Sequence, residues 1–71
     1  MAPLTMQITL NGQGHPLPAP TTLTLLLLSL GLADKPVVIE LNRAAIFPRD
    51  FAETSVKNGD QIEIVTLAAG G

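Results

Sequence analysis

The residues of this chain best suited to chemistry are its last two, Gly70 and Gly71. A terminal carboxylate is a poor electrophile until it is converted into a mixed anhydride such as an acyl adenylate. A chain end that must enter another protein's active site has to be thin, and glycine, which lacks a Cβ atom, lets the backbone approach other groups closely. The pair therefore indicates a terminus that other proteins activate, although glycine-rich ends also occur as plain flexible tails.

The other residues that could catalyse a reaction or bind a metal lack partners in the sequence. His15 lies between Gly14 and Pro16, and no nucleophile pattern accompanies it. The absence of cysteine excludes a thiol nucleophile and a thiolate zinc site. No Gly-Lys pair occurs, so the phosphate-binding loop of nucleotide-binding proteins is missing. We therefore expect that the chain is not an enzyme, has no metal site and binds no cofactor itself.

Length and charge predict one domain, covering residues 1–71, that does not bind nucleic acid. The net charge is −2, and the four basic side chains are scattered singly instead of forming a patch. The chain has no Trp or Tyr on which bases could stack.

The apolar run over residues 22–30 is too short and too poorly flanked to be a membrane or export signal. No Lys or Arg precedes it before Lys35, whereas a secretion signal begins with a positively charged region. A membrane span needs about 20 apolar residues, roughly twice the length of this run. We therefore expect no membrane partner and a cytoplasmic location.

The first part of the chain predicts a β-hairpin. Apolar residues alternate over residues 4–10, which is the period of a half-buried strand. The Asn11-Gly12 pair that follows is a strong turn signal, leading to a short second strand over residues 14–17. The prolines in and after this second strand restrict it to an edge of the sheet, because proline has no N–H for the ladder.

A leucine-rich helix is predicted next. Thr21 or Thr22 can cap its start, and Gly31 follows its end near Leu30. The apolar stripe is wider than that of a usual amphipathic helix. We expect the helix to lie buried against the sheet with the additional leucines under loops, the alternative being a contact with a partner. The stripe and the additional leucines are Leu23, Leu26, Leu27 and Leu30, then Leu25, Leu28 and Leu32.

The rest of the chain completes an α+β fold, in which a mixed sheet of about four to five strands packs on one main helix. The helix joins two strands of this sheet, and such crossovers are right-handed. The remaining predicted elements are a central strand at 37–42, a short strand at 45–47, a helical turn at 49–54 with Phe51 inward, a turn at 58–60, a last strand at 61–67, and a flexible tail at 68–71.

Three stretches in this order resemble the ubiquitin-like sulfur carriers of the ThiS/MoaD superfamily, most closely the ThiS family of thiamine biosynthesis. The resemblance spans nearly the whole chain and implies their β-grasp fold. The stretches are Leu41-Asn42-Arg43 with Ile46-Phe47-Pro48-Arg49, then Val56-Lys57-Asn58-Gly59-Asp60-Gln61-Ile62, and finally Ala69-Gly70-Gly71.

The resemblance implies that the chain acts as a substrate of other enzymes. An E1-like adenylating enzyme of the ThiF/MoeB type would use ATP and magnesium to adenylate the carboxylate of Gly71. A sulfur donor such as a cysteine desulfurase would supply the sulfur of a thiocarboxylate, and a thiazole synthase of the ThiG type would receive that sulfur. Only Gly70 and Gly71 are carried over as the functional site.

The last strand also offers a candidate docking surface for these partners. If Ile62 and Ile64 face the helix, then Glu63, Val65 and Leu67 face outward, and the last two form an apolar patch beside the tail. The opposite register would place Val65 and Leu67 in the core.

Other functions remain compatible with the same sequence. Within the same fold, the chain could be a small subunit of molybdopterin synthase, a carrier for tRNA thiolation, or a protein modifier. From a different class, it could be a non-covalent β-grasp binding module whose terminal glycines are incidental. Molybdopterin synthase subunits tend to be longer, which favours the thiamine carrier.

Overall fold

The computed structural model describes residues 6–67, so the predicted tail over residues 68–71 and the first two residues of the predicted first strand lie outside the described residues. Strands β1 (Met6–Leu10) and β2 (Gln13–Leu17) form the predicted antiparallel hairpin. Asn11 and Gly12 connect them with φ values of 50° and 83°, the left-handed conformation that a two-residue hairpin turn requires.

The last strand lies at the centre of a five-stranded mixed sheet. Strands β4 (Val37–Leu41) and β5 (Ala44–Ile46) form a second antiparallel pair. The last strand is β7 (Gln61–Thr66). The order in the sheet is β2-β1-β7-β4-β5, with the last strand parallel to β1 and antiparallel to β4. The hairpin strand β2 is an edge strand, as its prolines predicted.

Two short strands form a separate pairing that the sequence pattern did not predict. Strand β3 (Thr21–Thr22) pairs antiparallel with β6 (Ser55–Val56). A strand of two residues is too short to show the alternation that identifies strands in a sequence.

The predicted helix α1 runs from Leu23 to Ser29. Its cap is Thr22, whose hydroxyl accepts a hydrogen bond from the N–H of Leu25 at 3.3 Å. Gly31 follows the helix with φ 75°, a conformation that glycine adopts without the cost of a Cβ clash. The second helical segment is a 3₁₀ helix over Pro48–Glu53, which begins one residue before the prediction and buries Phe51.

The core lies between α1 and one face of the sheet. Leu23, Leu26 and Leu27 are the buried helix residues. The expectation that the additional leucines lie under loops is wrong for Leu25 and Leu28, which are 53% and 62% exposed. A two-turn helix presents one side to the sheet, and these two side chains point away from it. Among residues 6–67, the buried core side chains are Ile8, Leu17, Leu23, Leu26, Leu27, Val37, Ile39, Phe51, Val56, Ile62 and Ile64.

Candidate partner-binding site around the last strand

The β4 side of β7 ends in a hydrogen bond that anchors Leu67 just before the tail. The N–H of Asn42 donates to the carbonyl of Gln61 at 2.7 Å at one end of this ladder, and the N–H of Leu67 donates to the carbonyl of Pro36 at 2.9 Å at the other. Pro36 has no N–H to return to Leu67, so the ladder cannot be completed there. The hydrogen bond to Pro36 therefore attaches Leu67 to the β4 side of the sheet.

Beyond Ile62, the β1 side of β7 is held by one asparagine side chain. Strand β1 pairs with β7 only up to Leu10 and Ile62, because the chain then turns away at Asn11. The Asn11 carboxamide continues the pairing: its Oδ1 accepts from the N–H of Ile64 at 2.8 Å, and its Nδ2 donates to the carbonyl of Ile64 at 3.2 Å. The sequence indicated a turn at Asn11 but gave no sign of this contact, which joins residues 53 positions apart.

A second asparagine holds the beginning of β7. Asn42 Oδ1 accepts from the N–H of Gln61 at 2.9 Å, and its Nδ2 donates to Asp60 Oδ1 at 3.1 Å. The other carboxylate oxygen of Asp60 accepts from the N–H of Lys57 at 2.8 Å, which closes the turn before the strand. Both ends of β7 are thus fixed relative to the sheet, and with them the point from which the tail departs.

The structure shows which face of β7 is buried, and Val65 lies on the exposed face. Ile62 and Ile64 are buried, whereas Val65 is 58% exposed. The alternative, in which Val65 belongs to the core, is therefore wrong.

An apolar row extends from Val65 across the outer face of the sheet. Val65 lies opposite Val38 in the β4·β7 register, and Val38 is 46% exposed. Strands β4 and β5 are antiparallel, and Ile39 pairs with Ile46. The residue after Ile46 is therefore next to the residue before Ile39, so Phe47, which is extended and exposed, lies beside Val38. The outer-face patch is therefore Val65, Val38 and Phe47. Two of these residues were absent from the predicted docking site, because only the strand order places them next to Val65.

Leu67 lies at the end of the sheet and does not extend this row. It is 51% exposed and follows the last residue of β7. It lines a hollow of roughly 350 Å³ whose other walls include Pro36, Pro48 and Phe51. Val65 and Leu67 are both accessible, as predicted. Leu67, however, lies at the end of the sheet and lines the same hollow as the core residue Phe51.

Charged side chains border the outer-face patch. Glu40 and Glu63 lie directly opposite each other on neighbouring strands. Arg43 lines the same cleft as these two carboxylates. Like charges in such a pair are unfavourable, and a cation at the same cleft offsets part of this repulsion. An apolar row with a charged border is the arrangement found in protein–protein interfaces.

Within residues 6–67, His, Asp and Glu form no group that could hold a metal ion. In the same part of the chain, no helix is long and apolar enough to cross a membrane. His15 is half-buried on β2 opposite Ile8. Gly70 and Gly71 lie outside the described residues, and their role stays a prediction.

Comparison with known proteins places the chain in a family. The sequence model of the ThiS family matches residues 7–71. The structure is similar to the crystal structure of a thiamine biosynthesis protein (ThiS) from Geobacter metallireducens, with a TM-score of 0.80 and 32% sequence identity, over 93% of this chain and 100% of that chain. A comparison with curated proteins gave no match. The mixed sheet on one helix is thus the predicted β-grasp fold, and the chain belongs to the ThiS family.

Proposed function

We propose that this chain is a sulfur carrier of thiamine biosynthesis that works through the carboxylate of Gly71. The observation that carries the proposal is the extent of the family match, which runs from residue 7 to residue 71 and so includes the terminal Gly70-Gly71 pair. The chain itself supplies a carboxyl group, and catalysis belongs to its partners.

The proposed chemistry first activates the carboxylate of Gly71 and then replaces one of its oxygen atoms with sulfur. A carboxylate oxygen of Gly71 attacks the α-phosphate of ATP in an E1-like partner, releasing pyrophosphate and leaving an acyl adenylate. The terminal sulfur of a persulfide on a donor such as a cysteine desulfurase then attacks the acyl carbon and displaces AMP, which gives an acyl disulfide. A second thiol of a partner protein attacks the donor's sulfur and breaks the S–S bond, which releases the thiocarboxylate and leaves a disulfide between the two partner thiols. Its sulfur is transferred to a thiazole synthase for thiazole formation. ATP and magnesium are held by the adenylating partner.

The length of the tail limits where the partners bind. Four residues follow Leu67, and even fully extended they span at most about 14 Å. A partner whose active site contains Gly71 must therefore dock close to the end of β7. This requirement favours the outer-face patch together with Leu67 as the contact surface, because both lie on or beside that strand.

Intact-mass measurement tests the proposal directly. After incubation with an activating enzyme, MgATP and a sulfur source, the full chain should gain the mass difference between one sulfur and one oxygen atom. A variant lacking Gly70 and Gly71 should gain nothing and should melt at the same temperature, because the core that residues 6–67 form extends from Ile8 to Ile64. An unmodified full chain, in the presence of an enzyme that loads another carrier, would contradict the proposal and favour a non-covalent binding module.

Genetic complementation distinguishes a sulfur carrier for thiamine synthesis from one for molybdopterin synthesis or tRNA thiolation. In a strain without its own carrier, the full chain should restore growth in the absence of thiamine, and the chain lacking Gly71 should not. Loading without restored growth would instead indicate molybdopterin synthesis or tRNA thiolation as the destination of the sulfur.

A further inference from the structure

Backbone hydrogen-bonding groups of a strand alternate between its two sides. In β7 the carbonyl of Gln61 and the N–H of Leu67 both bond towards β4. The residues with the other parity therefore direct their N–H and C=O groups towards β1. Thr66, which is exposed, is one of these.

Nothing on the β1 side reaches Thr66 among residues 6–67. Asn11 bonds to the carbonyl of Ile62 through its own N–H and to both backbone groups of Ile64 through its side chain. The chain then turns at Gly12, and no described backbone or side-chain group bonds to the N–H or C=O of Thr66 on this side. The central strand of the sheet thus ends in a short open edge.

This open edge borders an uncharged groove of roughly 330 Å³. Its walls are formed by three side chains of the sheet, two leucines that follow the helix, and the asparagine of the hairpin turn. None of the side chains that line the groove is charged, and the charged residues Asp34 and Lys35 line a neighbouring cleft together with Leu32 and Thr66. The residues that line it are Leu10, Asn11, Leu30, Leu32, Ile64 and Thr66.

The edge of β2 contrasts with this open position. The N–H of Gln7 donates to the Asn58 side chain, and the carbonyl of Gln7 accepts from the N–H of Gly59, so both backbone groups of Gln7 point towards β7. The backbone of Pro16, which lies opposite Gln7 in β2, therefore points away from the sheet. A proline at an outward position has no N–H to offer and blocks the addition of a further strand. Thr66 has its N–H and lies next to the tail.

We propose that an extended segment of the activating enzyme, uncharged where it enters the groove, adds to β7 at Thr66. A strand edge recognises an extended polypeptide through main-chain hydrogen bonds, and apolar walls select apolar side chains. Since the edge directly precedes the tail, this pairing fixes the direction in which the tail leaves the carrier. The inference rests on the proposed function, because it needs an enzyme that acts on Gly71.

Thr66→Pro tests the proposal with Ala45→Pro as its matched control. Thr66→Pro removes an N–H that the described fold does not use and fills its place with a ring. The N–H of Ala45 also points away from the rest of the sheet, because its neighbours Ala44 and Ile46 are the β5 residues that pair with β4 through hydrogen bonds. Strand β5 is the opposite edge of the sheet from β2. We expect the KM of the activating enzyme for Thr66→Pro to rise roughly tenfold, the effect of about one lost hydrogen bond, with a small change for Ala45→Pro.

Amide hydrogen exchange of the unmodified chain gives a second measurement that does not depend on a variant's folding. The Thr66 amide should exchange faster than those of Val65 and Leu67 in the free protein, and slow when the enzyme is added without ATP. Unchanged Thr66 exchange on binding, or equal loading of the full chain and Thr66→Pro, would overturn the proposed edge. Absence of any loading of the full chain would instead overturn the proposed function.

Discussion

Two asparagine side chains substitute for missing backbone partners along β7. A carboxamide offers one acceptor and a donor group, as a peptide unit does, so Asn11 can bond to both backbone groups of Ile64. Asparagine also tolerates the left-handed conformation, and Asn11 and Asn42 have φ values of 50° and 51°. Each therefore makes a turn and holds the neighbouring strand with the same residue.

Substitutions of Asn11 separate these two roles. Asn11→Gly keeps the turn conformation but loses both side-chain hydrogen bonds, which leaves the part-buried groups of Ile64 unpaired. We expect it to lower the free energy of unfolding by about 1–3 kcal/mol. Asn11→Ala should cost more, since alanine also disfavours positive φ. Urea unfolding measures both values, and an Asn11→Gly variant as stable as the parent would contradict this role.

At the scale of elements, α1 depends on the sheet. Seven residues are too few for an isolated helix to be stable in water, so packing must hold it in place. The buried residues are Leu23, Leu26 and Leu27, whereas Leu25 and Leu28 are exposed. The leucine run could not show this division, because nearly every position on the helix surface is apolar and the pattern has no polar side.

A pair of alanine substitutions in α1 tests this division. Leu26→Ala empties a site that is 1% exposed and should lower the free energy of unfolding by about 2–5 kcal/mol. Leu28→Ala removes the same atoms from the helix surface and should change it by less than about 0.5 kcal/mol. Chemical denaturation of the two variants measures the difference. Equal losses would show that the outer leucines are covered.

At the scale of the whole molecule, the charged and uncharged residues occupy different parts of the chain. The four basic and six acidic side chains all lie between Asp34 and Glu63. Glu40, Glu63 and Arg43 border the outer-face patch, whereas the hairpin and the helix carry no charged side chain. Asp34 and Lys35 line a cleft beside Thr66 and Leu67. A partner that docks near the end of β7 therefore meets an apolar row with a charged border on the outer face, and near Thr66 a groove lined by uncharged side chains next to a cleft that contains Asp34 and Lys35.

Two matched aspartate substitutions test which face of the molecule docks. Val65→Asp places a charge in the outer-face patch, and Leu25→Asp places one at a similarly exposed position on the helix. Both variants should keep the native far-UV circular dichroism. Only Val65→Asp should weaken binding of the activating enzyme, because burying an unpaired charge in an interface is costly. Equal binding by Val65→Asp and the parent chain would exclude this patch from the interface.

The sequence by itself determined the longer elements and the candidate reactive end, but not the two-residue strands β3 and β6. Local signals such as the Asn11-Gly12 turn, the Thr22 cap and Gly31 act over a few residues, so they predicted the hairpin and the helix. The terminal Gly70-Gly71 pair can be identified as a candidate site from the sequence without knowledge of the fold. Its chemistry stays a prediction.

Only the tertiary structure decided which residues become neighbours. A period of two shows that Ile62 and Val65 face opposite sides of a strand, but it does not show which side the helix covers. The strand order placed Val38 and Phe47 beside Val65, brought Asn11 to Ile64, and left the β1 side of Thr66 without a hydrogen-bond partner among residues 6–67. These contacts join residues far apart in the chain, and such pairings depend on how the elements pack together instead of on any local pattern.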